Sequence, residues 1–197
     1  MIQVRQLKTE AERAQAFNLR YRVYIEEMKR GTKSPDHSRK MVLDQMDESG
    51  LIFGAFEDER LVGTSRVNLV GEGHIDHEDL YEIEEFSQFC FGKIAIAGKL
   101  IVDPDYRGTH VCIALMKAMF VFGQTRNVEV WLLDCNKPLD RLYSRVGFVP
   151  YRTANHPEYG NVICMMMFPN DRQHHEKVGS PLRELIGQDR WKAPLVA

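Results

Sequence analysis

Cysteine is scarce and scattered in this chain. The 197 residues hold four, Cys90, Cys112, Cys135 and Cys164. None has the spacing of a zinc site or a redox pair. That pattern excludes a disulfide framework and predicts reduced, mostly buried thiols in a cytosolic protein. No apolar run approaches the ~18 residues of a membrane helix. The opening Met1-Ile-Gln-Val-Arg-Gln-Leu-Lys8 does not read as a secretory signal. A surplus of one charge is also missing: 26 basic residues face 28 acidic ones, a net charge of -2. Nothing in the global charge attracts nucleic acid. There is no internal repeat and no low-complexity linker. His74-x-x-His77 with Asp76 has nothing to complete a ligand set, so it reads as a solvated loop and no metal is expected. What is abundant is soft apolar surface, with nine methionines and ten phenylalanines.

Along the chain, residues 2–7 alternate as a strand does. Thr9 and Glu12 form a capping box. The helix behind it sets Ala14, Phe17, Tyr21, Tyr24 and Met28 on one face and Arg13, Arg20 and Arg22 on the others, and Gly31 stops it. Residues 32–39 read as a polar loop. Residues 51–57 and 60–70 alternate across Asp58-Glu59 as a hairpin. Residues 78–91 have the period of an amphipathic helix. Residues 128–134 read as a strand, and Pro138 and Gly147 bracket a helix. Residues 162–168 give the last strand. A polar tail with a short helix after Ser180-Pro181 follows.

The chemistry is concentrated around residues 100–116. Leu100, Ile101 and Val102 read as a buried strand that Asp103-Pro104-Asp105 halts. Val111, Leu115, Ala118 and Phe122 then recur at helical spacing. A strand that opens directly onto a helix N-terminus leaves unpaired amides facing the turn, an arrangement suited to an anion. The run Val-Asp-Pro-x-Tyr-Arg-Gly ahead of an apolar helix resembles the acyl-donor motif of the GNAT acyltransferases. Arg107 and Gly108 fit it, whereas His110 and Cys112 stand where two further glycines belong. The resemblance implies that Leu100, Ile101, Val102, Arg107 and Gly108 bind the donor. With side chains in place of those glycines, the cradle suits a single phosphate better than a pyrophosphate. That favours acyl-phosphopantetheine on an acyl carrier protein as co-substrate, with no tightly bound cofactor. Leu142-Tyr-x-x-x-Gly-Phe148 resembles a second GNAT motif, which makes Tyr143 the candidate acid for the departing thiolate. A phenol has a pKa near that of a thiol, so the transfer costs little.

Two further segments narrow the resemblance. Residues 19–28 and 43–48 are similar to the N-terminal half of the acyl-homoserine lactone synthases. They are more similar still to the long-chain N-acyl amino acid synthases known from environmental DNA. Arg22, Tyr24, Asp44, Asp47 and Arg66 fill that pattern as acceptor-side residues, with Asp47 also a catalytic candidate. Gly31-Thr32 stands where lactone synthases carry Gly-Trp. Two registers then compete before the donor motif. One places Glu85 as general base. The other, without gaps, puts Ile96 at the base position and Lys99 at that of an arginine, and the strand running into the turn favours it. In physical terms, arginines and aspartates brought together form a charge-assisted network. It either fixes a loop over the acyl site, or holds the ammonium and carboxylate of an amino acid, or serves as a structural salt-bridge group.

The expected fold is thus α/β (α+β): a GNAT-like domain over residues 1–168 with a mixed, mostly antiparallel sheet and helices on both faces. Residues 169–197 form an extension packed on the same domain. The implied reaction is transfer of a fatty acyl chain to the α-amine of an amino acid, with tyrosine as the leading acceptor. Met41, Met46, Met116, Met119 and Met165 to Met167 are candidates to line the chain's tunnel. An acyl-homoserine lactone synthase, a short-chain acyl-CoA transferase and an inactive lipid- or partner-binding relative are the alternatives.

Overall fold

The computed structural model describes residues 1–32 and 35–187 and the backbone of 195–196. Part of the expected 32–39 loop and most of the last ten residues of the expected extension lie outside the described residues. The chain divides into two compact units. The first comprises Met1–Val67, Lys99–Met119 and Lys192–Ala197, the second Asn68–Gly98 and Phe120–Trp191.

In the first unit, β1 (Ile2–Gln6) pairs antiparallel with β2 (Leu51–Glu57), and β2 with β3 (Arg60–Leu69). The hairpin stands where its alternation put it. The short β8 (Leu195–Val196) adds to the other edge of β1. Helix α1 (Glu10–Tyr21) starts at the expected capping box: Thr9 accepts from the Glu12 amide while Glu12 accepts from that of Thr9. Its apolar face packs Ala16, Phe17, Leu19 and Tyr21 against Leu7, Ile52, Phe56 and Ile101. The helix does not run on in α geometry to Met28. Residues Arg22–Glu27 form a π turn, with the Met28 amide bonded to the Val23 carbonyl at 2.9 Å. Met28 is accordingly exposed rather than on the buried face. Helix α2 (Met46–Ser49) is a single turn.

The second unit begins with α3 (Glu78–Tyr81) and a one-turn 3₁₀ helix at Ile83–Phe86. The continuous helix expected over 78–91 is therefore broken. His77 and Glu82 both adopt left-handed backbone, at φ of 57° and 48°, and no α-helix propagates through such a residue. Strand β4 (Ile94–Val102) starts in this unit and ends in the first. Helix α4 (Val111–Thr125) runs from the first into the second. Strand β5 (Val130–Cys135) pairs parallel with β4 over only three residues, from Ile94–Val130 to Ile96–Leu132. Helix α5 (Asp140–Val146) stops at Gly147, at φ 124°, as its sequence predicts. Strand β7 (Gly160–Met167) pairs antiparallel with β5 and with β6 (Val149–His156). No strand was expected at β6, whose polar residues and Pro150 hide its period. Helix α6 (Arg172–Lys177) ties residues 169–187 to this unit. The Ser180 hydroxyl donates to the Val146 carbonyl, and the buried His175 ring fills the space left by the missing Gly147 side chain. The expected mixed, mostly antiparallel sheet flanked by helices is present. No described helix is long and apolar enough to cross a membrane.

Gly123 gives a test of this packing. A Cβ there would lie 2.4 Å from Cζ2 of the buried Trp131. Alanine gains up to ~1 kcal/mol of helix propensity over glycine, yet overpacking costs ~1–3 kcal/mol. Gly123→Ala should therefore lower stability by up to about 2 kcal/mol in urea denaturation. An increase would show that the contact is relaxed cheaply.

Candidate active site

The first unit contains a chain of buried charges. Arg20 lies wholly inside, and its Nη1 donates to both Asp47 oxygens, at 2.9 and 2.8 Å. Arg66 Nη1 stands 3.0 Å from Asp47 and also donates to Asp44. The second Asp44 oxygen faces the Lys99 ammonium at 3.0 Å. Asp47 also accepts from the Asp44 amide at 2.9 Å, and Arg66 Nη2 contacts the Met46 sulfur. Among the described residues, Arg20, Arg66 and Lys99 thus face Asp44 and Asp47. Nε and Nη2 of Arg20 and Nε of Arg66 are buried with no hydrogen-bond partner among the described residues. Burial raises the Asp44 carboxyl, but Arg66 and Lys99 outweigh it and hold it at about 2. Burial lowers the Arg66 guanidinium, yet Asp47 and Asp44 together raise it. Asp44 is therefore ionised at neutral pH. Asp44 is the more open of the two, with 28% of its side chain exposed against 3% for Asp47.

Local backbone explains the arrangement. Lys99 has φ 52° in the middle of β4, a left-handed residue inside a strand. Such strain costs ~1–3 kcal/mol and collects at functional sites. Residues 97–100 are half-buried, unlike Ile94 to Ile96 before them. The Lys99 ammonium also lies 5.8 Å from the centre of the Tyr24 ring, which Arg30 approaches to 5.4 Å. Gly50 leaves room for the arginine, since a Cβ there would meet Arg66 Cδ at 2.7 Å.

The donor turn lies in the same unit. Asp103 is buried and caps the 3₁₀ turn Pro104–Tyr106, accepting from the Asp105 amide. Arg22 and Arg60 converge on its other oxygen, at 3.1 and 3.2 Å. Arg107 follows, exposed and paired with Glu27, and Gly108 takes φ 77°, which favours glycine. His110 is exposed. Burial pushes the Cys112 thiol up to about 11, so it is not a nucleophile at neutral pH.

Tyr143 belongs to the second unit. It is half-buried on α5, its ring edge-on to Phe148 with centroids 5.9 Å apart. Glu85 is exposed on the 3₁₀ turn, outside β4, whereas Ile96 and Lys99 lie on β4 as the ungapped register requires. Tyr81, singled out by no motif, is buried and donates to Asp134 at 2.6 Å. Burial, then Asp134, raises its phenol well above the ordinary range. Met46, Met116, Met119, Met165 and Met167 are buried in the core, and Met41 packs on the first unit's cluster. Among the described residues, no group of three or more His, Cys, Asp or Glu is placed to hold a metal ion.

The model of one family, described as N-acyl amino acid synthase FeeM, matches residues 15–169, well over half of the chain. The chain belongs to this family. FeeM itself, an N-acyl amino acid synthase from uncultured soil microbes, superposes with a TM-score of 0.70 at 17% identity, over 94% of this chain and 99% of that one. BjaI, a CoA-dependent acyl-homoserine lactone synthase, gives 0.71 at 17% identity, over 92% and 91%. The Escherichia coli ribosomal-protein-S18-alanine N-acetyltransferase gives 0.59 at 17%, over 85% and 94%. At such identities the likeness is one of fold. No curated protein sequence matches.

The chemistry that this family membership supports is acyl transfer onto an amine. Of the residues expected on the acceptor side, Asp44, Asp47 and Arg66 form one network, which Lys99 joins, with Tyr24 beside its ammonium. Arg22 does not join it and reaches Asp103 instead. Arg20 takes the place next to Asp47 and was missed, because its position in the helix period looked like a polar face. Its only signal was a partner 27 residues further on.

Proposed function

We propose that the chain transfers a long-chain fatty acyl group from an acyl carrier protein thioester to the α-amine of an amino acid, tyrosine being the first acceptor to test. The buried network carries this reading. Its two most accessible members, Lys99 and the part-open Asp44, present a cation and an anion side by side that match the carboxylate and the ammonium of an amino acid. In this reading Lys99 takes the acceptor's carboxylate and Asp44 its ammonium. Asp47, with both oxygens engaged, holds them in position rather than reacting.

The α-ammonium gives a proton to solvent water, its nitrogen attacks the thioester carbonyl, and an N–C bond forms as the carbonyl π bond becomes the oxyanion. The oxyanion needs donors, for which the amides near Val102 are the candidates. The C–S bond then breaks, the thiolate takes a proton from Tyr143, and the proton that the nitrogen sheds as the amide forms restores the phenol through solvent. Arg107 and Gly108 hold the single phosphate of the carrier's phosphopantetheine. Each buried methylene is worth ~0.8 kcal/mol, so a dodecanoyl chain gains roughly 8 kcal/mol at most over acetyl.

The test follows free thiol from dodecanoyl and acetyl carrier protein across a panel of amino acids. Release should require an amino acid and strongly favour dodecanoyl. Lys99→Met should raise the amino acid KM at least tenfold and leave the donor KM nearly unchanged. Acceptor-independent release, or equal use of acetyl, would contradict the proposal.

A further inference from the structure

The π turn reaches the donor turn at two points. Arg22 Nη1 donates to Asp103 at 3.1 Å. Glu27 grips Arg107 with both oxygens, Nη1 to Oε1 at 2.6 Å and Nη2 to Oε2 at 2.7 Å. In an α-helix, residues five apart point about 140° away from each other. The π pattern of i→i+5 bonds brings them to one side, which is how Arg22 and Glu27 both reach residues 103–107. Arg107 Nε turns inward to the Val102 carbonyl at 3.4 Å. The outer edge of the guanidinium is thus the edge that Glu27 covers. That planar fork matches a carboxylate and a phosphate alike.

We propose that Glu27 is a specificity-determining residue of the donor site, an internal carboxylate that occupies the Arg107 fork until a donor phosphate displaces it. The inference rests on the donor reading of residues 100–108. Donor binding is then an exchange of one bidentate charged pair for another. An exposed ion pair is worth little, so the exchange lowers donor affinity only several-fold. After displacement, Glu27 remains five residues from Arg22 on the same short turn. There it repels the incoming anion in proportion to its charge, so a donor with one phosphate is penalised less than one with a diphosphate.

The test is calorimetric titration of 4′-phosphopantetheine and of coenzyme A into the purified chain and its Glu27→Gln, Glu27→Ala, Arg107→Gln and doubly substituted forms. Thermal melts confirm that each is folded. Both Glu27 variants should bind phosphopantetheine about 3-fold tighter and coenzyme A about 10-fold tighter, as expected for removing one nearby charge. The gain should vanish in the Arg107→Gln background. If Arg107→Gln weakens binding while the Glu27 variants match the parent or bind worse, the donor site stands and the role of Glu27 is overturned. If Arg107→Gln binds as tightly as the parent, the donor reading falls, and the inference falls with it.

Discussion

Asp47→Ala should cost about 3–5 kcal/mol of stability in urea denaturation, the usual effect of removing one partner from a buried ion pair. The substitution leaves Arg20, fully enclosed, without its anion, and strips Arg66 of one of two carboxylates. Burial without a partner is the expensive step, not the loss of attraction. Arg20→Met combined with Asp47→Ala should therefore recover much of the loss, because an apolar pair of similar volume needs no solvation. A cost below about 1 kcal/mol for Asp47→Ala would mean that water reaches the network. The same geometry fixes an acid response. The Asp44 carboxyl sits at about 2 in the folded chain, below its ordinary 3.8. Its stabilising contribution is complete above the ordinary value and is lost as pH falls from there through about 2. Asp44→Asn should flatten that part of a circular-dichroism acid titration.

Tyr143→Phe should reduce turnover by about 100-fold or more, within the range for loss of a general acid. Both KM values should stay within about 2-fold, since in the proposed mechanism the hydroxyl acts on the leaving sulfur and not on bound substrate. The half-buried ring, edge-on to Phe148, keeps its packing in the phenylalanine form. Thiols of low pKa should rescue the variant, because they leave without a proton. Unchanged turnover would remove Tyr143 from the acid role.

Much of this was legible in the sequence wherever a local rule operates. The capping box, the hairpin at Asp58-Glu59, the helix stop at Gly147 and the strand–turn–helix at residues 100–116 each depend on neighbours within a few positions. The turn at residues 103–108 was found by that route. Features set by distant partners were not legible. Arg20 looks like a solvent residue until Asp47 is folded beside it. The π turn that separates Arg22 from the network leaves no mark in the helical period. Neither does the left-handed Lys99, held in a strand by a backbone that its sequence would not choose. The break at Glu82 was hidden by an apolar period that continues across it. The charge network, built from residues 20, 44, 47, 66 and 99, needed the fold to be seen as one object.

The most direct test of the central claim is mass spectrometry of organic extracts from bacteria expressing this chain, compared with empty-vector cells and with cells expressing Lys99→Met. The account predicts a new series of N-acyl amino acid masses spaced by two methylenes, sharply reduced in the variant. The series would identify acceptor and chain length together. Acyl-homoserine lactone masses, or no new acylated amine from a soluble protein, would contradict it.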